Sequence, residues 1–192
     1  MQPEKATISP KITPVDAVIT SASYVASIEQ DLARIQARLT VNVVGKPWVE
    51  VPLHFGDAAV GAITDGDVLL QGTGEGTYSL LFRSSGEQTV TLELTARVVT
   101  SPDGRQIDLD VPASAITSFE LSVPADDQEI EVRPRLVQQP VEDAAGETRV
   151  RASLGATRHI AAAWRPRATA QPEMQLLTSV NNRQAFRLAD GL

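Results

Sequence analysis

An all-β fold is what this sequence predicts, a two-sheet antiparallel β-sandwich of about ten to twelve strands. Three observations carry that expectation. Apolar and polar residues alternate over long runs, turn-forming residues separate the runs, and prolines stand at or near their ends. Alternation with a period of two buries one face of a strand and leaves the other in water.

Residues 1–16 hold three prolines and no apolar run, and read as an extended leader or linker. From Val18 onward alternation dominates. Ala33, Ile35, Ala37, Leu39, Val41 and Val43 oppose Arg34, Gln36, Arg38, Thr40 and Asn42. Ser27 and Gln30 also have capping-box spacing, and Leu32, Ile35 and Leu39 have helical spacing, so a helix over 28–39 competes. Unbroken alternation through Val43 favours the strand.

Val49, Val51 and Leu53 continue the pattern, with Pro52 where a lost N–H does least harm. Asp65-Gly66 reads as a tight hairpin turn between VGAIT and DVLLQ. The glycine-rich 72–76 segment reads as a looser hairpin before Tyr78–Phe82. A second long run follows in Val90, Leu92, Leu94, Ala96 and Val98. Ser85-Gly86 and Asp103-Gly104 punctuate it. Shorter runs are Ile107/Leu109/Val111, Phe119/Leu121/Val123, Ile130/Val132 and Val150/Ala152/Leu154. Glu129 and Glu131 are expected to face Arg149 and Arg151 across a hairpin, at roughly 0.2–1 kcal/mol per pair.

The sandwich is thus expected over 17–167, with 168–192 a linker and the possible first strand of a following repeat. That repeat rests on AFRLADGL at the C-terminal end, which matches VASIEQDL at 25–32. If it is real, the chain was cut from a longer repeat-containing protein.

Composition narrows the functional classes. The absence of cysteine excludes disulfides, zinc knuckles and thiol catalysis. A net charge of −7 argues against a phosphate-neutralising surface, so no nucleic acid is expected as a partner. Residues 1–132 carry −11 and residues 133–192 carry +4, an asymmetry read as strand-to-strand charge pairing within one domain. No segment reaches the roughly 18 apolar residues of a membrane-spanning helix.

Motifs with chemical potential are few. His54 and Asp57, in the sequence His54-Phe55-Gly56-Asp57, suggest a base and its orienting acid, but no G-x-S-x-G nucleophile turn accompanies them. Gly72, Gly74 and Gly76 have strand-like flanks, whereas a phosphate loop feeds a helix. Asp65/Asp67 and Asp126/Asp127/Glu129 lack the spacing of a calcium loop, and solvated turn acids are the simpler reading. Trp48 and Trp164 are expected at the core or its rim. Exposed side by side, they would form a ligand platform. The candidate ligand-binding residues are therefore Trp48, Trp164, His54 and Asp57. No catalytic residue, metal or cofactor is expected.

The order of GKPWVEVPLHFGDAAV, SSGEQTVTLELTARVV, IDLDVPASAITSFELSVP and VRASLGATRHIAAAWRPR resembles uncharacterised β-rich modules of large bacterial envelope proteins. Their W-x-x-V-P-L, G-x-H-x-V-x-L and W-x-P motifs fall within 40–167, with Gln88 in place of the frequent histidine. The resemblance implies an extracytoplasmic module of a membrane-tethered parent and supplies no catalytic residue. The leading reading is a non-catalytic structural or protein-interaction module, its partner a protein or a neighbouring module of the same chain. A carbohydrate- or small-ligand-binding sandwich and a hydrolase using loop carboxylates are the alternatives.

Overall fold

A computed structural model describes residues 15–74, 77–141 and 146–167. Residues 1–14 of the expected 1–16 leader and the tail at 168–192, with its repeat match, lie outside them. Fourteen strands and no helix occupy the described residues. They are β1 (Ala17–Glu29), β2 (Leu32–Val43), β3 (Val49–His54), β4 (Ala59–Asp65) and β5 (Val68–Gly74). Next come β6 (Thr77–Phe82), β7 (Gly86–Arg97), β8 (Val99–Ser101), β9 (Gly104–Asp110) and β10 (Ile116–Val123). The last four are β11 (Gln128–Arg133), β12 (Val137–Pro140), β13 (Thr148–Ser153) and β14 (His159–Pro166).

The all-β expectation holds, but the two-sheet sandwich does not. The strands form three open sheets: seven strands in the order β12-β13-β10-β1-β2-β7-β4, four in the order β11-β14-β9-β8, and three in the order β3-β6-β5. Alternation reports which side of a strand is buried and nothing about which strand lies beside it. Asp65-Gly66 therefore does not close a hairpin. β4 pairs with β7 and β5 pairs with β6, so this turn carries the chain from one sheet to another. The strand count rises to fourteen because β8 and β12 are short, largely exposed edge strands without alternation.

The long runs behave as their pattern requires. β1 turns into β2 through Gln30 and Asp31, with Gln30 at φ 54, and the helix alternative over 28–39 is replaced by this hairpin. β2 then pairs with β7 along its whole length, Ile35 opposite Leu94 and Leu39 opposite Val90. β1 and β10 run parallel from Ser21/Ile116 to Ser27/Ser122. Buried side chains from all three sheets form one core, in which Tyr24, Phe55, Phe82 and Phe119 are the bulkiest completely buried groups. Each such side chain contributes roughly 1.5–3 kcal/mol through burial.

Surface charges pair locally, though not across the expected hairpin. Glu129 meets Arg165 at 2.9 Å and Arg151 meets Glu120 at 2.7 Å, because β11 lies beside β14 and β13 beside β10. Glu147, bonded by Arg149 and Ser122, is held below the ordinary carboxylate range, the Arg149 hydrogen bond being the larger cause.

Candidate functional site

The two tryptophans separate. Trp164 on β14 is 3 % exposed, beneath the guanidinium of Arg105 at 5.8 Å from the ring centre. Trp48 is 60 % exposed, contrary to the expected core or rim position. It precedes β3 at φ 72, its N–H donating to the Phe82 carbonyl, and Arg83 lies over its ring at 5.7 Å. Such an exposed cation–ring contact contributes roughly 0.5–1 kcal/mol. With one ring buried and the other exposed, the two do not form a shared platform.

His54 and Asp57 make no ion pair with each other among the described residues. His54 ends β3, and Gly56 at φ 59 turns the chain beyond buried Phe55. The acid facing His54 is Asp110, at the end of β9, with His54 Nε2 3.7 Å from Asp110 Oδ2. His159 Nδ1 lies 3.0 Å from the other oxygen of the same carboxylate, and His159 Nε2 lies 3.4 Å from Asp108 Oδ1. Both histidines of the chain thus converge on Asp110, joining the three-stranded sheet to the four-stranded one. Gly56 makes this possible, since a Cβ there would stand 2.9 Å from Asp110 Oδ2. The imidazoles and carboxylates are about half exposed, so these contacts carry at most about 1 kcal/mol each.

His54 and Asp110 of this bridge line the rim of a groove of about 660 Å³. One wall is formed by consecutive β3 residues, Val51 to His54, and another by consecutive β1 residues, Ala17 to Ile19. Val111, Pro112 and Ala113, in the connection between β9 and β10, also line it. Successive strand residues point to opposite faces, so consecutive residues line one cavity only where it runs along a strand edge. Both edges are open. β3 is an outer strand of its sheet, and β10 joins β1 only from Ser21 onward, leaving the opposite side of Ala17 to Thr20 without a strand neighbour among the described residues. Pro52 removes an N–H from β3, so β1 offers the more continuous ladder. At the rim, Arg158 passes its carbonyl to the Val111 N–H, while its guanidinium has no carboxylate partner among the described residues.

A second depression, about 530 Å³, lies on the four-stranded sheet. Its cations are paired internally: Arg165 with Glu129 at 2.9 Å, Arg135 with Glu131 at 3.6 Å and Arg105 with Asp31 at 3.1 Å. The β1–β3 groove combines apolar walls, an open strand edge and an uncompensated cation, and is the candidate site.

Sequence reasoning located His54 and missed Asp110, His159, Arg158 and the β1 edge. Asp108 and Asp110 were legible as the outward residues opposing Ile107 and Leu109, and nothing local pointed from them to a histidine 56 positions earlier.

No protein-family model and no curated protein sequence matches the chain. Among solved structures, it is similar to an M1 zinc metallopeptidase from Deinococcus radiodurans, with a TM-score of 0.54 and 10 % identity, covering 80 % of this chain and 44 % of that one. It is also similar to native leukotriene A4 hydrolase from Saccharomyces cerevisiae, with a TM-score of 0.53 and 8 % identity, covering 78 % of this chain and 29 % of that one. At such identities the likeness is one of fold, and the chain spans less than half the length of these structures.

Proposed function

We propose that this chain is a non-catalytic interaction module of a larger protein, and that it receives an extended segment of a protein partner in the groove between β1 and β3. The observation that carries the reading is the edge of β1 from Ala17 to Thr20, open among the described residues, of which Ala17, Val18 and Ile19 line an apolar groove. An added strand would gain main-chain hydrogen bonds from that edge, and the apolar walls would select its alternate side chains. Support for a module comes from the similar structures, where a comparable fold is part of a longer chain. The resemblance to envelope modules supports a membrane-tethered, extracytoplasmic parent. An antibody against the domain would then detect a band well above 20.6 kDa in the envelope fraction, and a soluble band near 20.6 kDa would contradict the parent protein.

Binding is tested with a fluorescent, end-capped hexapeptide of alternating valine and threonine, read by anisotropy. Val18, in the groove wall and 48 % exposed, accepts Val18→Lys without disturbing the core. Saturable binding to the native protein, lost in a Val18→Lys variant that melts at the native temperature, is the expected result. Equal binding to both proteins, or none to either, would overturn the reading.

A further inference from the structure

We infer that the partner segment carries a carboxylate side chain, an aspartate or glutamate set among apolar residues, which pairs with Arg158; this deepens the groove reading above and rests on it. Most arginines on the described surface have an acidic partner, including Arg34, Arg83, Arg151 and Arg165. Arg158 has none among the described residues, although it stands at the rim of the apolar groove. Its backbone is fixed there by the hydrogen bond between its carbonyl and the Val111 N–H, which ties the start of β14 to the end of β9.

The neighbouring acid does not fill the role of partner. Asp110 directs one oxygen to His159 Nδ1 at 3.0 Å and the other towards His54 Nε2 at 3.7 Å. The rim therefore presents one carboxylate already engaged by two imidazoles and one guanidinium without an anion. A segment following the β1 edge places alternate side chains on the groove side. An acid at one of those positions meets Arg158 through charge-assisted hydrogen bonds, while its neighbours rest on the exposed apolar lining of Val18, Pro52 and Ala113. A neutral segment would gain the ladder and the apolar contacts without this pair.

The experiment compares end-capped hexapeptides of alternating valine and threonine in which one glutamate, or one glutamine, is moved through the positions in turn. Capping removes the terminal carboxylate, so the side chain is the only anion. At its best position the glutamate peptide should bind the full chain about tenfold more tightly than its glutamine twin. In Arg158→Gln that preference should fall below about twofold, with the glutamine peptide's affinity unchanged. Equal binding of the twins to the native protein would overturn the inference, as would a glutamate preference that survives in Arg158→Gln. An uncapped neutral peptide that alone shows Arg158-dependent binding would assign the guanidinium to a chain terminus, and would also overturn it. If no peptide binds at all, it is the groove reading that fails.

Discussion

Replacing Tyr24 by phenylalanine should stabilise the protein, an unusual direction for a substitution at the centre of a core. Tyr24 lies in the middle of β1, opposite Ala37 on β2 and Phe119 on β10, and is completely buried. Its hydroxyl is buried and makes no hydrogen bond among the described residues. A buried polar group without a partner costs roughly 1–3 kcal/mol, and Tyr24→Phe removes that oxygen while keeping the ring. The expected gain is about 1–2 kcal/mol, or about 2–4 °C in melting temperature for each kcal/mol. Burial also pushes the phenol well above its ordinary value of 10.0. The unfolded chain therefore releases this proton at a lower pH than the folded one, and native stability declines as pH rises past about 10. Tyr24→Phe lacks that contribution, so its advantage should widen between pH 8 and pH 11 in urea denaturation curves. Destabilisation by more than about 1 kcal/mol at pH 8, or an advantage independent of pH, would refute the reasoning.

Three further outcomes follow from the geometry. Acrylamide should readily quench the emission of a Trp164→Phe variant, which retains exposed Trp48, and barely affect that of Trp48→Phe; the reverse order would contradict the placement of the two rings. Gly56→Ala places a side chain at φ 59 and a Cβ 2.9 Å from Asp110 Oδ2, so it should cost about 1–2 kcal/mol in chemical denaturation, and a loss below about 0.5 kcal/mol would contradict that packing. Glu147 is held below the ordinary carboxylate range by Arg149 and Ser122, so its stabilisation is present above about pH 4 and fades as pH falls through the folded value. Glu147→Gln should therefore be less stable than the native protein at pH 7, with a deficit that shrinks as pH falls through the acid range, and a deficit independent of pH would contradict the assignment.

Much of the local structure was legible. Ala33 through Val43 on β2 and Val90 through Val98, spanning β7 and its end, bury the alternating residues that the pattern singled out. What period two leaves undetermined is the neighbour. The turn at Asp65-Gly66 looks like a hairpin locally, yet β4 finds a partner in β7, where Gly61 brings its backbone close to the Glu93 carbonyl at 3.3 Å from the position of a Cβ. Glu131 stands beside Arg133 and Arg135 rather than Arg149 for the same reason. The site was harder still to read. His54 and Asp57 stand three residues apart, but the acid that reaches His54 is Asp110, which arrives from β9. Among the described residues the edge of β1 before Ser21 is open because β10 begins its ladder there, a fact of register between strands some ninety residues apart.

The central claim is that the edge of β1 between Ala17 and Thr20 accepts a strand from a partner. Amide hydrogen exchange of the full chain, with and without the capped valine–threonine peptide, tests it most directly. The account predicts slowed exchange within Ala17–Thr20, with the outer amides of β5 and β12 unchanged. Protection confined to β5 or β12, with Ala17–Thr20 exchanging as in the free protein, would contradict it.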